Sequence, residues 1–84
     1  MATYNVVYFA WVRERIGEPC ETVESTARTV AELVAELRTR APRYAAAFAD
    51  LSALRVALDQ DLSDFDAALS GTREVAFFPP MTGG

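Results

Sequence analysis

The feature that most restricts this chain's fold is one amphipathic helix with both of its ends marked. Thr29 stands three residues before Glu32, the spacing of a capping box, in which each side chain satisfies a free backbone N–H at a helix start. Val30, Leu33, Val34 and Leu37 then recur at i, i+3, i+4 and i+7 and form one apolar stripe, with Glu32 and Glu36 off it. Arg38 and Arg40 fall in the last turn, where the helix dipole favours cations. Pro42 stops the helix, because the residue before a proline avoids the α region.

The flanks of this helix read mostly as strands. From Thr3 to Ala10 the β-formers Tyr4, Val6, Val7, Tyr8 and Phe9 predict a first strand, apolar on both faces over Val6 to Phe9. Trp11 to Ile16 reads as a short helical turn ended by Gly17, and Cys20 to Glu24 as a second strand antiparallel to the first. After Pro42, Tyr44, Phe48 and Leu51 recur at helical spacing, a second and shorter helix or helical loop. Leu54, Val56 and Leu58 alternate with Arg55, Ala57 and Asp59, as in a half-buried strand. Gln60-Asp61 turns the chain into a short segment, Leu62 to Phe65, and Ser70-Gly71 marks a loop. The last strand is Glu74 to Phe78, ended by Pro79-Pro80, which removes two backbone donors. Runs of strands beside one long helix indicate a two-layer α+β sandwich. With the first two strands antiparallel, the helix must cross back over one sheet face. The predicted arrangement is a ubiquitin-like β-grasp: a mixed sheet of four to five strands on one main helix.

Size and composition narrow the chemistry. At 84 residues the chain makes one small domain, with little room for an internal catalytic cavity beside a core. A net charge of −4 argues against a nucleic-acid binder. No apolar run approaches the roughly 20 residues of a membrane span, and no basic segment before an apolar stretch marks a signal peptide, so the chain reads as cytoplasmic. Histidine is absent, and with it the commonest general base and metal ligand. All eight cations are arginines, which leaves no side-chain amine for Schiff-base chemistry. Cys20 is the only cysteine, so neither a disulfide nor a Cys-cluster metal site can form within the chain. It reads as a small, partly buried strand residue rather than a reactive thiol. Asp59 and Asp61 read as a solvated turn and not as a metal site, since no third ligand accompanies them. No metal and no bound cofactor are expected.

The C-terminal run from Glu74 to Gly84 is the most informative stretch for function. Gly83 and Gly84 lack Cβ atoms, so they can enter a narrow channel and take φ angles closed to other residues. From Pro79 onward six extended residues reach roughly 20 Å, and the diproline stiffens the base of that arm. The expected division is a domain over 1–80 and a flexible tail over 81–84 that carries the reactive terminus. A carboxylate is a poor electrophile. Activation as a mixed anhydride with AMP supplies a leaving group, and sulfur from a persulfide can then replace AMP to leave a thiocarboxylate. Such a carrier needs no acid, base or metal of its own.

Three stretches carry a resemblance that spans essentially the whole chain: Tyr8-Phe9-Ala10-Trp11-Val12-Arg13-Glu14, Val56-Ala57-Leu58-Asp59-Gln60, and Glu74 to Pro80 leading to Gly83-Gly84. On these the sequence resembles the molybdopterin synthase small-subunit family, a branch of the β-grasp sulfur carriers. Two departures are visible: Asp59 stands where the family usually has Asn, and Ser70-Gly71-Thr72-Arg73 replaces an acidic turn. The resemblance implies a cycle. An E1-like adenylyltransferase uses ATP to adenylate Gly84, and a sulfur donor protein converts it to the thiocarboxylate. The arm of Pro79, Pro80, Met81, Thr82 and Gly83 then inserts into the large subunit. There sulfur passes to cyclic pyranopterin monophosphate, in a heterotetramer of two large and two small subunits. A carrier for thiamine, cysteine or another sulfur pathway, and a ubiquitin-like protein modifier, share the fold and tail; Phe77-Phe78-Pro79-Pro80 favours the synthase subunit.

Alternation also predicts a partner face. In the last strand Val75 and Phe77 share one face and Glu74, Ala76 and Phe78 the other, which Glu74 marks as exposed. Asn5 likewise places Val7 and Phe9 outside. The resemblance adds Leu62, and Phe9, Leu62 and Phe78 are the expected contacts with the large subunit.

Overall fold

The β-formers near the start make strand β1 (Ala2–Tyr8) in the computed structural model, which describes residues 1–80. Helix α1 (Ala10–Ile16), strand β2 (Cys20–Ser25), helices α2 (Val30–Arg38) and α3 (Pro42–Ala47), and strands β3 (Arg55–Leu58), β4 (Asp61–Ser63) and β5 (Glu74–Phe78) follow. The strands form one sheet in the order β2-β1-β5-β3-β4. The central pair, β1 and β5, runs parallel, and the other three pairings are antiparallel. This is the predicted β-grasp, with five strands.

The helical layer is shared more widely than one main helix. Stripe residues Val30, Leu33, Val34 and Leu37 of α2 are buried, and so are Val12 and Ile16 of α1 and Tyr44 and Ala47 of α3. They pack on Tyr4, Val6, Tyr8, Val23, Val56, Val75 and Phe77 from one face of the sheet. Each Val, Leu, Ile or Phe among them contributes about 1.5–3 kcal/mol on leaving water. At the centre, the Phe77 ring meets Phe48 edge-on at 5.0 Å and lies parallel to Tyr8 at 6.3 Å, the offset geometries that aromatic quadrupoles favour.

The start of α2 accounts for its free donors. Thr29 Oγ1 accepts from the Glu32 N–H at 3.2 Å, as the capping box requires. The Glu32 carboxylate reaches back one residue further than expected and accepts from the Arg28 N–H at 3.0 Å. The Val30 and Ala31 amides donate to Ala67 and Phe65 carbonyls at 3.1 and 2.8 Å, so the loop before β5 is stitched to the helix start.

Three local expectations shift. The first strand ends at Tyr8 and not at Ala10, because Ala10 takes φ 53° and turns the chain into α1. Pro42 does not end α2, which stops at Arg38 with Thr39 as its cap. It opens α3 after an extended Ala41, where a missing N–H costs nothing. The short segment after β3 pairs over Asp61–Ser63 only. Gly17, at φ 90°, ends α1 as expected, its N–H bonding the Arg13 carbonyl at 2.8 Å.

Candidate functional site

With the helices on one side, the other sheet face is open. The register lines up Cys20, Val7, Ala76, Ala57 and Leu62 as successive partners across all five strands. Toward the end of β5, Phe78 pairs with Arg55. At the opposite end, Asn5 pairs with both Thr22 and Glu74. Strand alternation therefore sends Val6, Val56, Val75 and Phe77 to the core and Val7, Ala57, Ala76 and Phe78 to this face. Between them runs an open groove of about 570 Å³, lined by Val7, Phe9, Ala57, Ala76 and Phe78 with Gln60 and Glu74 at its rim.

The predicted contact residues fall on or beside this groove. Phe9 is 48% exposed and Leu62 72% exposed, and Phe78 is half-buried in the groove wall. Phe9 is held by its backbone: its N–H donates to the Phe77 carbonyl at 3.1 Å, and its carbonyl accepts from Val12 as the cap of α1. Leu62 is carried by β4 directly opposite Ala57. Pro79 and Pro80 follow Phe78, both half-buried. Met81, Thr82, Gly83 and Gly84 lie outside the described residues. Sequence reasoning did not single out Ala57 or Gln60 as groove residues. The alternation of β3 already placed Ala57 on this face; nothing local announced Gln60, which reaches the groove through a turn.

Cys20 corrects an expectation. It is a strand residue, but it is exposed rather than partly buried, because it sits at the end of an edge strand on the open face. Asp59 and Asp61 bracket the β3–β4 turn as expected, but Asp59 is not merely solvated. Its Oδ1 accepts from the Glu74 and Arg73 amides at 2.8 and 3.0 Å. Those two bonds hold its carboxyl below the ordinary 3.8.

On the covered side, a polar knot ties strands to helices. The Glu21 carboxylate accepts from the Tyr8 and Tyr44 hydroxyls, each at 2.8 Å, and from Arg40 at 3.4 Å. Burial first, and then the hydrogen bond to Glu21, push the Tyr8 phenol far above its ordinary value, so it stays a donor. Among the described residues, no three His, Cys, Asp or Glu side chains converge as a metal site would require. No helix among them is long and apolar enough to cross a membrane.

A mixed sheet of this order, with helices on one face, defines a ubiquitin-like β-grasp fold. The ThiS family model matches residues 6–84, and the chain belongs to that family. It is 40% identical over 80 residues to the "Molybdopterin synthase sulfur carrier subunit" of Escherichia coli K12, covering 95% of this chain and 98% of that one. It is 35% identical, with the same coverage, to the protein of that name in Haemophilus influenzae. Among solved structures, SAMP1 from Haloferax volcanii superposes with a TM-score of 0.78, covering 99% of this chain and all of that one. At 21% identity that likeness speaks for the fold alone.

Proposed function

We propose that this chain is the sulfur carrier subunit of a molybdopterin synthase, with the carboxyl group of Gly84 as its working group. The observation that carries the reading is the 40% identity to a subunit of that name over 98% of its length. It is supported by a family match that runs through residue 84. The open apolar face adds physical support, since exposed patches of this kind mark interaction surfaces.

The chemistry takes place in stages on partner proteins. A Gly84 carboxylate oxygen attacks the α-phosphorus of ATP on an E1-like adenylyltransferase, and pyrophosphate leaves. Persulfide sulfur from a donor protein then attacks the acyl carbon and displaces AMP. Reductive cleavage of the resulting acyl disulfide by a thiol leaves the thiocarboxylate. The carrier next docks on the large subunit through Phe9, Leu62 and Phe78. Pro79, Pro80, Met81, Thr82 and Gly83 deliver the terminus to cyclic pyranopterin monophosphate. Two carriers serve two large subunits in a heterotetramer. The chain itself supplies no acid or base and is non-catalytic.

Intact mass tests this. With ATP, the cognate adenylyltransferase and a sulfur source, the chain should gain roughly 16 Da, one oxygen replaced by sulfur at the ionised terminal carboxyl. Fragmentation should place the gain on Gly84. A gain that maps to Cys20, or none at all, would sink the proposal.

A further inference from the structure

We propose that Asp59 is a positioning residue for the open face: its carboxylate clamps the β3–β4 turn to the start of β5 and so sets where Leu62 and the groove rim stand. The proposal rests on the reading of that face as a docking surface.

The argument begins with a ladder that stops one residue early. Leu58 pairs with Val75, so the next antiparallel pair would be Asp59 with Glu74. Half of that pair exists: the Asp59 N–H donates to the Glu74 carbonyl at 2.9 Å. The other half cannot form through the main chain, because Asp59 and Gln60 take φ 49° and 73° and the backbone swings away into β4. The Glu74 N–H would be left without its strand partner. Asp59 Oδ1 takes that place, accepting from Glu74 at 2.8 Å, and it also accepts from Arg73 at 3.0 Å. A side-chain oxygen thus completes the ladder that the turn interrupts.

The clamp reaches further than its own turn. The Arg73 carbonyl accepts from the Asn5 N–H at 2.7 Å, so the residue held by Asp59 also anchors β1. Three strands are registered at this one end of the groove. Gln60 and Glu74, the polar rim, are the clamp's immediate neighbours. Leu62 lies three residues beyond Asp59 on a three-residue edge strand held by β3 alone. Its position is fixed by the three-pair ladder to β3 and by the turn that Asp59 opens. Asp59 itself is exposed, so its carboxylate adds no packing to the core.

The residue type suits the task for a second reason. Asp and Asn tolerate left-handed φ better than other residues with a Cβ. Asn carries the same acceptor oxygen at the same place without the charge. Gly accepts the φ and removes the oxygen. The pair Asp59→Asn and Asp59→Gly therefore separates the hydrogen bonds from backbone strain, which an Ala substitution would confuse.

The experiment uses the full chain and the purified large subunit, with Phe78→Ala as the test of the face itself. In Asp59→Gly the Arg73 and Glu74 amides should exchange with solvent about tenfold faster or more. Affinity should fall about tenfold. Leu62→Ala should cost less affinity in the Asp59→Gly background than in the parent, a coupling that a general loss of stability does not produce. Asp59→Asn should restore protection, affinity and coupling. If Phe78→Ala weakens binding but Asp59→Gly does not, or if the two amides stay protected in Asp59→Gly, the clamp is overturned. If neither variant weakens binding, the docking surface is wrong and the positioning role falls with it. The Phe78→Ala arm tells the two failures apart.

Discussion

The two faces of this sheet hold neighbouring phenylalanines in opposite surroundings. Phe77 is fully buried among Tyr8, Phe48 and Phe65 on the helix-covered face. Phe78, one residue on, lines an open groove beside Phe9 and Val7. The covered face gains its free energy within the chain, by removing apolar surface from water as the helices close over it. The open face keeps comparable side chains in contact with solvent, which gives the folded chain nothing until something covers them. Adjacent residues of one type thus meet the core or the solvent according to the side of the pleat on which they fall.

The largest test of that contrast is a matched pair. Phe77→Ala should destabilise the fold by about 3–5 kcal/mol, the loss of a fully buried aromatic and the cavity it leaves. Phe78→Ala should change stability far less and weaken binding to the large subunit by about 1–3 kcal/mol. Denaturant melts and calorimetric titration of both variants decide the matter. Equal destabilisation by the two would erase the distinction between the faces.

Removing Gly84 sharpens the comparison from the other side. The last strand ends at Phe78, six residues earlier in the chain, so folding and docking should survive. The arm loses roughly 3.5 Å, and a misplaced reacting group costs about a hundredfold in rate or more. We expect a chain that binds the large subunit normally yet supports pterin dithiolene formation at no more than about a hundredth of the parent rate. Near-normal turnover would remove Gly84 from the chemistry.

The smallest effect concerns acid. The folded pKa of Asp59 lies below 3.8, with the Glu74 and Arg73 amide bonds as its main causes. The carboxylate's advantage over its unfolded state is therefore fully present above that value. It is lost as pH falls from 3.8 through the lower folded pKa. Asp59→Asn has no such titration. The melting-temperature difference between parent and Asp59→Asn should shrink across the acid window that begins at 3.8 and runs downward. A difference that stays constant across that window would mean that the charge does not strengthen the clamp.

Much of this molecule is written in local pattern. The stripe from Val30 to Leu37, the Thr29 cap and the Gly17 stop each predict an element within a few residues, because a helix needs only contacts three or four residues away. The alternation of β5 already divides Val75 and Phe77 from Ala76 and Phe78, since a strand's faces follow from a period of two. With the resemblance, the same pattern singles out Phe9, Leu62 and Phe78, the residues proposed for docking.

Other properties belong to the tertiary structure alone. That β1 pairs with β5 in parallel, with Asn5 and Glu74 in register 69 residues apart, is a contact between distant segments that no short window contains. Cys20 is exposed because it lies at the end of an edge strand and on the open face, and strand order and the placing of the helices, not residue type, decide that. Pro42 begins a helix here, because Ala41 is extended and the chain resumes helical dihedrals beyond it. Glu21 joins Tyr8, Tyr44 and Arg40, residues that meet only once helix and sheet are stacked. Asp59 looks like an ordinary turn residue until β5 arrives with two amides to be bonded. The period of a sequence determines which way each side chain points. What stands there to meet it depends on which distant strands and helices pack alongside, and only the folded chain settles that.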